Sequence, residues 1–171
     1  VGSIAPGTLV ASSPDTAIAM DYEPSPFTRS GPGIKGESKP ELVDIGGNLV
    51  RDAGTTWVRS NAGTNVVVAS NKLSPATAHN FGTSFAAPRV AHKLAVLLHE
   101  LQQLGLDHVS APLLKAFLVN SATYRGDLTA IIEKFDTIGK KRWLDVIGYG
   151  FPDPSRATDC DDYSILLYHQ G

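Results

Sequence analysis

The hydrophobic pattern changes at Gly82 from short strand-like runs to a helical period of 3.6 residues, and no other feature restricts the fold as strongly. From Val90 to Leu104 apolar residues recur at helical spacing, while charged and amide side chains occupy the remaining face. Gly105 follows at the position where a glycine commonly ends a helix. The pattern predicts a long amphipathic or largely buried helix over about residues 84–104, preceded by a region of strands and loops.

Short apolar runs before this helix predict strands. The runs at 16–20 and 41–45 are each followed by Pro or Gly residues that end regular structure. The runs at 56–59 and 65–69 flank a short turn segment in which Gly63 can adopt a positive φ. We therefore predict that these last two runs pair as a hairpin.

Loop and helix signals complete the prediction. The stretch 24–40 is dense in Pro, Gly and Ser, which predicts a long surface loop. Ser110 as N-cap and Pro112 in the first turn predict a second helix that runs to about Ala122. A third, shorter helix is predicted over 127–135.

Size and charge restrict the class of protein. The chain has 171 residues, enough for one domain, and 42% of them are hydrophobic. The net charge of -2 provides no field that would attract nucleic acid or anionic lipid. No apolar run approaches the ~20 residues that cross a bilayer. The single cysteine, Cys160, excludes an internal disulfide and a cysteine-based metal site.

The segment that carries chemistry is GTSFAAPRVA, residues 82–91, at the start of the predicted long helix. It places Ser84 where unpaired backbone N–H groups and the positive end of the helix dipole stabilise negative charge. An oxyanion formed by attack of the serine on a carbonyl would be stabilised there. Gly82 allows the backbone to approach a substrate closely, and the two alanines allow tight packing behind the nucleophile.

This segment closely resembles the nucleophile motif of the subtilases, the subtilisin-like serine peptidases, written G-T-S-x-A-[AS]-P-x-V-[AS]-G. Every specified position except the last is present. Residues 27–32 and 39–43 are similar to a second block of that family, F-S-x-x-G-P followed by K-P-D-[IV]. Residues 119–122 and 148–150 also fit the family order.

The resemblance implies an α/β fold, the C-terminal part of a doubly wound, mainly parallel sheet with a central nucleophile-bearing helix. It implies that residues 1–154 form the C-terminal half of a catalytic domain, with residues 155–171 as an extension. An apolar run at 163–168 predicts a strand in that extension. Because the sequence starts at Val1, after the point where the family's other catalytic residues lie, we expect the chain to be part of a longer protein.

The activity implied by the resemblance is that of a serine endopeptidase without a cofactor or metal. Ser84 would be the nucleophile, and Gly82, Thr83, Phe81 and Asn80 would contact the polypeptide substrate. The family's catalytic Asp and His and its oxyanion-hole Asn lie upstream, so we expect the isolated chain to be inactive. We also expect it to require the upstream half of the domain or to self-associate, because a hydrophobic sheet edge would be uncovered.

Two positions depart from the family motifs. His92 stands in place of the glycine that closes the nucleophile motif, so packing around the helix must differ. Residues 44–46, Asp-Ile-Gly, stand in place of the Ala-Pro-Gly that follows the second block. We therefore expect that turn to differ from the shape usual in the family.

The other candidate sites in the sequence are weaker. His79 lies five residues before Ser84 and could serve as a local base, but we expect an exposed loop histidine. His92 and His99 lack the i, i+4 spacing of a zinc helix. The acidic residues at 159, 161 and 162 lack the ligand pattern of a calcium loop, and the basic run 140–142 is typical of a solvated turn.

Two alternative functions differ in class. A non-catalytic subtilase-like binding or regulatory module would keep the nucleophile segment while the missing half lacks a working Asp and His. An α/β-hydrolase esterase is disfavoured, because its nucleophile elbow needs glycine two residues after the serine and this chain has Ala86.

Overall fold

The computed structural model describes residues 1–7, 14–55, 58–139 and 142–159. Its strands are β1 (Gly2–Ile4), β2 (Thr16–Ala17), β3 (Val43–Ile45), β4 (Val50–Arg51), β5 (Val58–Arg59), β6 (Val66–Ala69) and β7 (Thr77–Asn80). Its α-helices are α1 (Thr83–Gln103), α2 (Ala111–Asn120), α3 (Leu128–Gly139), α4 (Leu144–Ile147) and α5 (Pro154–Thr158). Two short 3₁₀ helices lie at Ile34–Gly36 and Ala62–Thr64.

The centre of the fold is the parallel pair β1 and β3, with Ser3 opposite Asp44. Because side chains alternate along a strand, one face of the pair carries Ile4 and Val43 and the other carries Ser3 and Asp44. The first face packs with α3 and α4 in one apolar cluster, which includes Ile131. The second face lies against α1, so helices cover both sides of the parallel pair.

A second apolar cluster lies between α1, α2 and α5. Leu97 and Leu101 of α1 pack there with Phe117 and Leu118 of α2, and Ala157 of α5 joins them. Partly buried apolar residues on α1 and α2 surround the cluster. The long helix is therefore held along its length by the sheet on one side and two helices on another.

The helix predictions are confirmed. α1 begins one residue before the predicted start and ends at Gln103, just before Gly105. The hydroxyl of Ser110 caps α2 by accepting a hydrogen bond from the backbone N–H of Leu113. α3 extends the predicted third helix at its C-terminal end. No helix within the described residues is long and apolar enough to cross a bilayer.

The predicted hairpin is wrong. β6 pairs in antiparallel fashion with β7, and β5 pairs with β4, so the two runs that flank Gly63 do not pair with each other. The intervening residues form the 3₁₀ helix Ala62–Thr64 because the side chain of Asn61 accepts a hydrogen bond from the backbone N–H of Gly63 at 2.8 Å. An Asx-type bond thus replaces the positive-φ turn that we expected.

Other strand predictions were partly correct. The run at 41–45 contains β3, and the run at 16–20 contains only the two residues of β2. The predicted strand at 163–168 lies outside the described residues. In the part of the chain that the structure describes, the parallel strands number two and the other pairings are antiparallel, so a doubly wound parallel sheet is not established. An α/β arrangement is present, with helices on both faces of a parallel pair.

Candidate active site

Ser84 lies in the first turn of α1, directly after a turn built by Gly82. Gly82 is the N-cap residue and has φ +143°, in the region where side chains other than hydrogen are strained. Its N–H donates to the carbonyl of Gly46 at 2.8 Å, and its own carbonyl accepts from Phe85 N–H at 3.0 Å. Ser84 itself is exposed. The turn therefore presents the serine to solvent at the N-terminus of a 21-residue helix.

The turn rests on the glycine pair that follows β3. A Cβ on Gly46 would lie 2.7 Å from the carbonyl oxygen of Gly82 and 2.3 Å from Ser3 Oγ. A Cβ on Gly47 would lie 2.8 Å from Phe81 Cβ. The sequence showed this pair only as a strand ending. Its role is to let the nucleophile turn approach the end of β3 closely.

Two buried hydroxyl groups pack against the glycine pair at 46–47. Ser3 and Ser25 are fully buried and share a hydrogen bond of 2.8 Å between their Oγ atoms. Ser25 Oγ donates to the carbonyl of Gly47 at 2.6 Å. Sequence reasoning missed both serines, because their partners are distant in the chain and a single serine in a short run gives no signal of burial.

Phe81 and Asn80 precede the turn and differ in their surroundings. Phe81 is partly buried, and its ring lies 5.2 Å from the ring of Phe27 at an interplanar angle of 45°. Asn80 is exposed at the end of β7, and its side-chain oxygen accepts from the backbone N–H of Phe81 at 2.8 Å. Thr83, the first residue of α1, is partly buried. The expected substrate-contacting residues thus lie together around Ser84.

No side chain in the described ranges forms a hydrogen bond with the Ser84 hydroxyl. His79 lies exposed in β7, opposite Val67 of β6, and has no hydrogen bond to Ser84. Phe85 N–H donates to the carbonyl of Gly82. The backbone N–H groups of Thr83 and Ser84 form no hydrogen bond within the described residues and are available to an anion. This arrangement can stabilise developing negative charge but does not itself provide a base.

The two α1 histidines lie apart from the serine. His99 is exposed. His92 is exposed and lines an open cavity of about 450 Å³ between α1 and β6, together with Phe85 and Arg89. Within the described residues no group of three or more His, Cys, Asp or Glu side chains is placed to hold a metal ion.

A buried ion pair ties α1 to β3. Lys93 Nζ lies 2.7 Å from Asp44 Oδ2, and the side chains are 18% and 1% exposed. The same ammonium lies 3.3 Å from the centroid of the Phe151 ring. Burial lowers the pKa of Lys93 from its usual value, and the hydrogen bond and charge of Asp44 oppose this change. Sequence analysis identified Asp44 as a departure from the motif but not its partner.

Comparison with known proteins identifies the family of the chain. Residues 3–150 match the model of the subtilase family. The chain is 34% identical over 156 residues to the uncharacterized protein y4bN of Sinorhizobium fredii, in an alignment that covers 88% of this chain and 34% of that protein. The chain therefore spans about a third of the length of that relative. No solved structure gives a significant match. Because the family match extends over far more than half of its residues, this chain belongs to the subtilase family.

Proposed function

We propose that the protein is a serine endopeptidase in which Ser84 is the nucleophile. Ser84 Oγ attacks the carbonyl carbon of a peptide bond, and an upstream His takes the hydroxyl proton while an upstream Asp orients that His. The tetrahedral oxyanion is held by the backbone N–H of Ser84 and an upstream Asn. The same His then gives its proton to the leaving amine.

The observation that carries this proposal is the setting of the serine. Ser84 is exposed in the first turn of a long helix, after a glycine at φ +143° that is hydrogen-bonded to the end of β3. A serine that served only as a helix cap would accept a hydrogen bond from a backbone N–H of the first turn, as Ser110 does for α2. The cap position of α1 is instead occupied by Gly82.

Labelling with a fluorophosphonate tests the proposal directly. The full-length protein should be labelled at Ser84 and should cleave casein, and Ser84→Ala should abolish both. The matched control is Ser110→Ala, another serine at a helix start, which should keep both activities and lose only ~1 kcal/mol of stability with its cap. Absence of labelling in the folded full-length protein would instead favour a non-catalytic binding or regulatory module.

The isolated chain provides a second comparison. Without a base Ser84 has the reactivity of an ordinary alcohol, and general-base help is typically worth ~10²–10⁴-fold, so the isolated chain should not be labelled. Labelling of the isolated chain at Ser84 would contradict the upstream base and would favour His79 in that role.

We also propose that the upstream half of the domain covers exposed apolar surface on this chain. Val67 of β6 is 61% exposed and Val58 of β5 is 50% exposed, and β6 borders the open cavity beside α1. Large exposed apolar surface favours association. Light scattering on the isolated chain should therefore detect oligomers, and a stable 18.1 kDa monomer would contradict this proposal.

A further inference from the structure

Two contacts join the end of β3 to α1, and they lie far apart along the helix. The first is the hydrogen bond from Gly82 N–H to the carbonyl of Gly46, 2.8 Å long. The second is the ion pair between Asp44 and Lys93. Gly82 and Lys93 are separated by about 16 Å of helix at 1.5 Å per residue. Two separated contacts on one helix fix both its depth and its rotation about its own axis.

The ion pair is enclosed by groups that hold it in place. Asp44 Oδ1 accepts a hydrogen bond from the backbone N–H of Ile45 at 2.7 Å, so both carboxylate oxygens have partners. The Phe151 ring covers the ammonium of Lys93. The backbone that carries this ring is held by hydrogen bonds in both directions between Phe151 and Thr123, 2.7 and 3.0 Å long. The pair therefore has little freedom to change its geometry.

The position of Lys93 on the helix bears on the direction in which Ser84 points. At about 100° per residue, the nine residue steps from Ser84 to Lys93 place the two side chains on roughly opposite sides of α1. Because Lys93 faces β3, Ser84 faces away from the sheet. A rotation of α1 by about 25° would move the Cα of Ser84 by about 1 Å at a helix radius of ~2.3 Å. Misplacement by about 1 Å can reduce a rate by about 100-fold.

We propose that Asp44 and Lys93 are positioning residues. Their ion pair sets the rotation of α1 about its axis and its distance from β3, and thereby the direction in which Ser84 points. The proposal rests on the proposed function for its effect on rate. Asp44 stands where the family's second block has alanine, so this chain uses a charge pair for a contact that the motif does not include. Neither residue touches the reacting atoms.

The double variant Asp44→Ala/Lys93→Met in the full-length protein separates positioning from stability. Replacing a whole buried ion pair by apolar side chains is often neutral for stability, whereas removing one partner is not. We therefore expect the double variant to fold, with fluorophosphonate labelling of Ser84 about 10- to 100-fold slower than in the wild type. Lys93→Arg keeps the charge pair and should stay close to the wild-type rate. The matched control is Glu41→Ala/Lys115→Met, which removes a more exposed pair and should also label at the wild-type rate.

A second readout does not depend on catalysis. Hydrogen exchange of the Gly82 amide reports whether the turn stays bonded to Gly46, and it should speed up at least 10-fold in the double variant while the amides at Leu97 and Leu101 are unchanged. Should the double variant not fold, Asp44→Asn/Lys93→Met is used, because it also removes both charges while the asparagine keeps the shape of the aspartate.

The outcomes are distinct. Labelling of the folded variant at the wild-type rate overturns the positioning role. If the wild-type full-length protein is not labelled at all, the proposed function fails, and hydrogen exchange alone then decides the positioning role. Gly82 exchange that is unchanged in the variant would overturn it, and faster exchange would support it.

Discussion

Gly46→Ala is the substitution that should disturb the nucleophile turn most directly. The added methyl would lie 2.3 Å from Ser3 Oγ and 2.7 Å from the carbonyl oxygen of Gly82, well inside van der Waals contact. Ser3 is fully buried and hydrogen-bonded to Ser25, so it cannot simply rotate away. The Gly82 carbonyl belongs to the turn itself. Relief of the clash therefore has to move the turn away from β3.

The expected loss of stability follows from three contributions. Overpacking of a well-packed site costs about 1–3 kcal/mol. Loss of the hydrogen bond from Gly82 N–H to Gly46 adds about 1 kcal/mol. Replacement of glycine by alanine restores about 0.4–1 kcal/mol, because it restricts the unfolded chain. We expect a net destabilisation of about 1–3 kcal/mol.

Urea unfolding and fluorophosphonate labelling of the full-length protein measure the two consequences separately. In the absence of urea, where Gly46→Ala is fully folded, we expect labelling of Ser84 to be at least 10-fold slower than in the wild type, because the turn has moved. Gly105→Ala is the matched control, since Gly105 has φ +88° and no atom would lie within 4 Å of an added Cβ. It should lose about 1–2 kcal/mol through backbone strain alone and keep the wild-type labelling rate.

One result would refute this reasoning. If Gly46→Ala keeps the wild-type stability and labelling rate, then the close approach of the turn to β3 does not determine the position of Ser84. Slow labelling in both glycine variants would instead mean that the rate follows general stability.

Two further predictions concern the core and the pH dependence. Leu97 is fully buried between α1 and its neighbours, so Leu97→Ala should cost about 2–5 kcal/mol in urea unfolding, and a cost below 1 kcal/mol would contradict the packing. Burial, with nearby Glu23 and Asp127, raises the pKa of Tyr124 from 10.0 to about 12. The unfolded chain therefore loses this proton first, and stability should fall by at most about 2 kcal/mol as the pH rises from 10 to 12. Tyr124→Phe should reduce this loss of stability at high pH. A pH profile that the substitution leaves unchanged would contradict the role of Tyr124.

Local signals explain what the sequence could predict. The start of α1 is set by Gly82, its length by helical periodicity and its end by Gly105, and each of these signals lies within the helix or next to it. The same holds for α2, where Ser110 is the cap. The position of Ser84 in the first turn could therefore be predicted from the residues alone.

Pairings between distant segments could not be predicted in the same way. The chain does turn at Gly63, but it does so in a 3₁₀ helix capped by Asn61. β6 pairs instead with β7, which follows it in the chain after a different loop. The position of the nucleophile turn against β3 depends on Ser3, Ser25 and the glycine pair at 46–47. These residues are brought together only by the fold. No period or motif marks such contacts.

The two departures from the family motifs illustrate the same limit and give it a physical meaning. In the sequence, Asp44 and His92 are two unrelated differences from the family motifs. Asp44 replaces an alanine in a turn, and His92 replaces a glycine in the helix. In the fold both lie at the cavity beside α1, and Asp44 is paired with Lys93, the residue after His92. A buried carboxylate without a cation would be strongly unfavourable, so the aspartate at position 44 requires the lysine at position 93. Asp44 in the strand and Lys93 in the helix therefore form one contact, which fixes the helix that carries Ser84.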